Sequence, residues 1–364
     1  MSESHPSPEL PPAPLGTARP TRRRLPAEWE PQDGVLLTWP HPATDWAPRL
    51  AEVEEAYVAL AASIAAWEPV VIACADERLA GHVAGRLSRA GVARERVRLP
   101  VVPSNDTWVR DYGPITVFEA GRPLLLDFTF DGWGGKYASR LDDSLTRRLH
   151  AEGVFGESPL LTPSIVLEGG SIDSDGAGTV LTTRRCLLAR AAPGATEATV
   201  GAELLPLLGA ERMLWLDHGG LEGDDTDGHV DTLARFCSPD TIAYVRCPDP
   251  GDSHFTELSA MEAELRALRR GDGQPYRLVP LPWPAARHDP EGARLPVTYA
   301  NFLIVNGAVL VPTYDDPADR EAVERLARCF PDRVAVGVPC LPLVLQHGSL
   351  HCATMQIPRG VWPS

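Results

Sequence analysis

YANFLIVNGAVLVPTY, residues 299–314, is two apolar runs joined by Asn306-Gly307. Asn-Gly suits the two positive-φ positions of a tight hairpin turn, so the stretch predicts two antiparallel strands. The next segment, DPADREAVERLARCF (316–330), has Pro317 near its start and apolar Ala318, Val323, Leu326 and Phe330 at helical spacing. RVAVGVP (333–339) then predicts a short buried strand. One unit therefore reads strand, strand, helix, strand.

The same order recurs upstream. SIDSDGAGTVLTT (171–183) turns at Asp175-Gly176, TEATVGAELLPLLG (196–209) is helical and RMLWLD (212–217) is a strand. DTLARFCSPDTIAYVRC (231–247) predicts two strands, residues 255–271 an amphipathic helix and YRLVPLP (276–282) a strand. PITVFEAGRPLLLDF (114–128) turns near Gly121, with DDSLTRRLHAEG (142–153) as its helix. Near the start, GVLLTWP precedes the helical residues 49–67 and the strand PVVIACAD. About five such units make an α/β chain. Units that cannot bury their sheets alone stack or close radially. Five closing into a ring, with pseudo-fivefold symmetry, would set the last strand beside the first and gather polar strand ends at one central site. An ordinary mixed α/β sandwich fits the same pattern.

The 364 residues are 44% hydrophobic, enough for a substantial core. Residues 1–24, rich in Pro and Ser, read as a flexible tail ending in a solvated Arg22–Arg23–Arg24 cluster; residues 25–364 read as one catalytic domain. No apolar run reaches the roughly 20 residues of a membrane span, and no signal-peptide core is present. A net charge of −15 argues against nucleic acid as a partner and favours approach of a cation. Seven cysteines, an odd number with no CxxC pair, suggest thiols in a reducing cytoplasm. Homo-oligomer formation is compatible with the sequence but not specified by it.

Four polar motifs interrupt the apolar pattern. In DTDGHVDTLARF (225–236), His229 and Asp231 would share a face if extended, pairing a proton-transfer group with an acid. The alternative is a solvated turn. In LEGGSID (167–173), Glu168 ends an apolar run before Gly169-Gly170, where another backbone or a ligand could come close. In NDTWVRDYGP (105–114), Asp111 is a turn acid or a site acid, and Trp108 is core or the cover of a flat cation. In LQHGSLHCATMQIP (345–358), Cys352 precedes a strand-like run. Neighbours on a strand face opposite ways, so His351 is not the expected base, and His229 is the candidate. A zinc set from His347, His351 and Cys352 lacks a second ligand pair with metal spacing. A buried inert thiol is the plain alternative for Cys352.

Taken together, these motifs offer one thiol, one imidazole and three carboxylates. A ring of acids opposes a developing oxyanion, so acyl transfer is a poor fit. It suits a substrate that is itself a delocalised cation, such as a guanidinium, which pairs with carboxylates in forked fashion.

At these residues the chain resembles the agmatine deiminase family, of bacterial peptidylarginine-deiminase type, among the guanidino-group-modifying enzymes of pentein fold. LPAEWEPQDGVLLTWPH, NDTWVRDYGP, EGGSID, GHVD, YANFLIVNGAVLVPTYDDP and HCATMQIP occur in the family's order. The resemblance implies a five-bladed αβ-propeller of ββαβ units. It implies Cys352 as nucleophile, His229 as general acid/base, Asp111 and Asp231 as clamps for the guanidinium, and Glu168 beside both substrate and histidine. Trp108 would line the site. The implied substrate is a small cationic guanidine, with agmatine hydrolysed to N-carbamoylputrescine and ammonia; no cofactor or metal is implied. One stretch departs from the family: QHGSLHC (346–352) stands where GGGNIHC is usual. Gln346, His347, Ser349 and Leu350 leave the substrate tail open among agmatine, arginine, peptidyl-arginine and other guanidines. Three other classes stay in view: a Cys–His amidase or peptidase, a silent guanidine or polyamine binder, and an interaction protein acting through its tail.

Overall fold

The hairpin turns at Asn306-Gly307 as read, but only Gly307 takes positive φ, at +81°, and a β-carbon there would meet the ring of Trp67 at 2.9 Å. The structure, a computed structural model, describes residues 23–362. The hairpin's strands are β14 (Leu303–Val305) and β15 (Ala308–Thr313), paired antiparallel. Helix Asp319–Cys329 buries Ala322, Leu326 and Cys329, and β16 (Val334–Pro339) then returns parallel to β15. Residues Leu303, Ile304, Leu310 and Val311 are fully buried. Each such side chain contributes about 1.5–3 kcal/mol by leaving water. β16 departs from expectation: it is largely exposed, Val334 by 53%. It is the outer strand of its sheet, so one edge and much of its surface have no strand beside them.

Three further sheets repeat this hairpin–helix–parallel strand order. β5 (Ile115–Glu119) and β6 (Arg122–Leu126) are antiparallel, and β7 (Leu160–Leu161) adds parallel after helix Leu145–Ala151. β8 (Ile172–Ser174) and β9 (Thr179–Thr183) take β10 (Arg212–Leu216) after helix Glu197–Leu208. β11 (Ala234–Ser238) and β12 (Thr241–Val245) take β13 (Arg277–Leu281) after helix Phe255–Ala267.

The fifth sheet joins the two ends of the chain. β2 (Gln32–Thr38) leads through helix Leu50–Ala65 to β3 (Val70–Ala73), which lies parallel to it, and β4 (Val97–Arg98) extends the edge. The antiparallel partner of β2 comes from the other end: β17 (Met355–Pro358) pairs Met355 with Leu36 and Gln356 with Val35. The last strand thus lies beside β2, the first strand of the opening unit, as the repeat predicted.

Arg23 and Arg24, expected in the tail, belong to the fold. Residues 1–22, including Arg22, lie outside the described residues. Arg23–Arg24 form β1, which pairs antiparallel with β5. Arg23 bonds Glu119 at 2.8 Å and Arg24 holds Glu30, so these two cations are a seam of the fold rather than a solvated cluster. Among the described residues no helix is long and apolar enough to cross a membrane. All seven cysteines are buried free thiols.

Candidate active site

Three connections bring the sequence-predicted residues together. Asp111 lies on the single helical turn Val109–Tyr112, just before β5. Glu168 opens the short 3-10 turn Gly169–Ser171 before β8. His229 opens another, Val230–Thr232, before β11. His229 and Asp231 therefore converge by a tight turn and not, as expected, along an extended strand. Cys352 is likewise in a turn, three residues ahead of β17.

Gly170 marks where they meet. A β-carbon there would fall 2.6 Å from His229 Nδ1, 2.9 Å from Asp111 Oδ1 and 3.1 Å from Asp231 Oδ2. Its N–H donates to Asp111 Oδ1 at 3.0 Å. Cys352 Sγ is 3.9 Å from Asp231 Oδ2 and 3.3 Å from Asn301 Nδ2. The gathered groups are all buried. Two of their polar atoms, His229 Nδ1 and Asp231 Oδ1, have no hydrogen-bond partner among the described residues. Buried polar atoms without partners are costly, so atoms left open at one place are suited to a ligand.

The electrostatics follow from burial and neighbours. Burial first, then the negative charges of Asp231 and Asp111, push the Cys352 thiol well above its ordinary range. Burial likewise raises Asp111 to about 6; His229 and the Trp133 indole N–H, 2.9 Å from Oδ2, pull the other way. Burial opposes a charge on His229, but Asp111, Cys186 and Glu168 outweigh it and hold the imidazolium well above its ordinary pKa. His229 Nε2 is 2.6 Å from Glu168 Oε2, and its Nδ1 is 3.6 Å from Asp111 Oδ1. Arg190 Nε donates to Glu168 Oε1 at 2.5 Å; despite burial, these cations hold the Glu168 carboxyl low. Asp231 is also held low against burial, chiefly by His351, whose Nδ1 is 2.7 Å from Oδ2. The site thus holds both a charged proton donor and a neutral thiol, and a bound cation would bring the thiol down.

Several participants escaped sequence reading. His351 carries Asp231 on Nδ1 and Glu28 on Nε2, at 2.7 and 2.8 Å. Glu28 is in turn bound by the fully buried Arg235 at 2.7 Å. Asn301 Oδ1 accepts the N–H of His351 at 2.8 Å, which fixes the amide beside Cys352 Sγ. A lone Asn in the apolar run YANFLIV was the available signal for it. Trp133 sits at φ +58° in the Gly-rich DGWGG loop, strained backbone in a bulky residue. Arg190 and Cys186 follow β9 on a short helix, with no signal in their local sequence.

Trp108, Asp111, Trp133 and Cys352 line one cleft of about 730 Å³. Its outer wall holds Asp45, Asp106, Asp225, Gln346 and His347. Trp108 packs under Gly348, whose β-carbon would lie 2.4 Å from the indole. The departing residues Gln346 and His347 thus face the cleft, whereas Ser349 is buried against the Tyr314 hydroxyl at 2.8 Å and Leu350 is buried. One group among the described residues has metal-binding spacing: Glu168, Cys186 and His229, with donor atoms within 4.8 Å. The Glu168–His229 hydrogen bond and the Arg190 guanidinium already occupy it.

Residues 24–358 match the Porphyromonas-type peptidyl-arginine deiminase family. The chain belongs to that family. Agmatine deiminase of Stutzerimonas stutzeri (strain A1501) is 35% identical over 359 residues, covering 92% of this chain and 95% of its own length. A Cys-to-Ser variant of C. jejuni agmatine deiminase, solved with substrate bound, is 33% identical with TM-score 0.85, covering 93% of this chain and 97% of that one. A structure from Porphyromonas gingivalis, provisionally described as an arginine deiminase, is 48% identical with TM-score 0.86, covering 94% and 100%.

Proposed function

We propose that this member of the family hydrolyses agmatine to N-carbamoylputrescine and ammonia through a covalent intermediate on Cys352. One observation carries the reading: Asp111, Asp231 and His229 converge at Gly170, with the Cys352 sulfur 3.9 Å from Asp231. In the same reading, residues 25–364 are one catalytic domain, and the five sheets are the blades of an αβ-propeller closed by the β17–β2 pair. The buried thiols suit a reducing cytoplasm.

Asp111 and Asp231 clamp the guanidinium, and Trp108 walls the cleft beside Cys352. The arriving cation lowers the thiol pKa, and the thiol proton leaves to solvent. The thiolate attacks the guanidinium carbon, giving a tetrahedral adduct with no net charge. Imidazolium His229 protonates one amino nitrogen, which departs as ammonia and leaves an S-alkylthiouronium. His229, now neutral, takes a proton from water as the oxygen attacks the same carbon. Collapse expels the Cys352 thiolate; the hydroxyl proton is lost to ammonia as the ureido carbonyl forms. Glu168 and Arg190 keep His229 oriented throughout. The chemistry draws on no cofactor or metal.

A second reading keeps this machinery but changes the substrate tail. The 48% identity to the P. gingivalis structure and the Gln346–His347 wall favour arginine or another guanidine. One assay decides: purified protein against agmatine, arginine, methylated arginines and arginyl peptides, scored by ammonia and ureido product. Agmatine as the best substrate is expected. Turnover of arginine alone would move the assignment to the second reading, and amide hydrolysis without guanidine turnover would overturn both.

A further inference from the structure

The acid-lined cleft has a counterpart on the other side of the catalytic segments. Arg110, Gly169 and His351 line a second, smaller cavity, together with Glu28, Gln32, Thr116 and Asp173. Their sequence neighbours Asp111, Gly170 and Cys352 belong to the first site. The partition between the two is one residue thick.

This rear cavity contains polar atoms with nothing to do. Arg110 Nη2, Gln32 Oε1 and Thr116 Oγ1 are buried without a hydrogen-bond partner among the described residues. The three residues are 3%, 5% and 4% exposed. Each carboxylate on the wall already has its cation: Arg235 serves Glu28 at 2.7 Å and Asp173 at 3.1 Å, and Arg24 serves Glu30. The Arg110 guanidinium, by contrast, donates to neutral groups: the His351 carbonyl at 3.3 Å, Gln356 Oε1 at 2.5 Å and the Met355 sulfur at 3.6 Å. A buried guanidinium with an idle nitrogen requires an acceptor. A cationic ligand would be repelled by Arg110. An anionic one would press against the carbonyl oxygen of Gln32. A neutral group with one carbonyl and one N–H satisfies both.

We propose that the rear cavity binds a small neutral amide or ureide. Its carbonyl accepts from Arg110 Nη2, its N–H donates to Gln32 Oε1, and the Thr116 hydroxyl completes the set. The occupant would be felt at the first site, because the Arg110 backbone N–H donates to the Cys352 carbonyl at 3.2 Å. The site stands independently of which guanidine is hydrolysed.

Methylurea at sub-denaturing concentration is the probe, with binding followed by calorimetry on the full chain. The Thr116→Val variant replaces an unpartnered hydroxyl by a methyl group, so its melting temperature and its activity without methylurea should match the parent. Its methylurea affinity should fall about fivefold, the worth of one hydrogen bond. In steady-state kinetics, methylurea should change kcat and leave KM for the guanidine unchanged. No binding, equal binding by Thr116→Val, or simple competition with the guanidine would each overturn the proposal.

Discussion

Adding one methyl group at Gly170 isolates the convergence on which the function rests. In Gly170→Ala the new carbon would sit 2.6 Å from His229 Nδ1 and 2.9 Å from Asp111 Oδ1. Unstrained heavy-atom contacts lie near 3.5 Å, so something must yield by roughly 1 Å. Displacement on that scale costs about 10²-fold in rate when it separates reacting groups. The added carbon also stands between the acids and an incoming cation. Each charge-assisted hydrogen bond lost is worth about 1.5–3 kcal/mol, so loss of both clamps would cost about 3–6 kcal/mol, or roughly 10²–10⁴ in kcat/KM. The backbone at Gly170 is not left-handed, so alanine adds no conformational strain there. The measurement is ammonia release over a range of guanidine concentrations, beside a thermal melt. Gly169→Ala is the control: its β-carbon would strike the Arg110 carbonyl at 2.1 Å, main chain rather than site, so its damage should appear in the melt. A folded Gly170→Ala enzyme within about threefold of the parent would refute the convergence.

Four further outcomes are expected. Cys352→Ser should retain guanidine binding by calorimetry while ammonia release falls by at least about 10³-fold; an active serine variant removes the thiolate role. Asp231→Asn should lower kcat/KM by roughly 10²-fold or more with the fold intact by circular dichroism, and unchanged kinetics would take Asp231 out of the site. With Asp111 near 6, it ionises as pH rises, so kcat/KM should climb through about pH 6; Trp133→Phe, which removes a donor to the charged form, should shift that limb to higher pH. Glu68 is pushed up to about 7, mainly by burial, and its Oε1 has no partner. The folded state therefore holds a proton that the unfolded chain releases near pH 4, and stability from this group declines from about pH 4 to 7, by about 3 kcal/mol in all. Glu68→Gln should flatten that decline in pH-dependent melts.

The architecture was legible because each hairpin declares itself locally. Asn306-Gly307 and Asp175-Gly176 turn where read, and the apolar runs beside them carry the strands. Exposure was less legible: RVAVGVP looks buried by composition, yet as an outer strand it is not. The tail was misjudged at Arg23 and Arg24 because their partners, Glu119 and Glu30, are supplied by the fold. Within the candidate site, the polar motifs nominated Cys352, His229, Asp111, Asp231 and Glu168, and the family resemblance supplied the role proposed for each. The turn bringing His229 beside Asp231 was not visible, because alternation along a strand was the only local rule available. His351 was set aside as a base on that rule; the structure gives it a different position, wedged between Asp231 and Glu28. Arg190, Asn301 and Trp133 serve through distant partners, which no local pattern encodes.

Because β17 completes the sheet begun by β2, the closing of that sheet is ordered in time with synthesis. A ribosome that has delivered residues 1–340 has made the acids and the imidazole, but neither the sulfur nor the strand that anchors it. The opening sheet cannot gain its antiparallel partner until residues 355–358 have been made and dock onto a segment made more than 300 residues earlier.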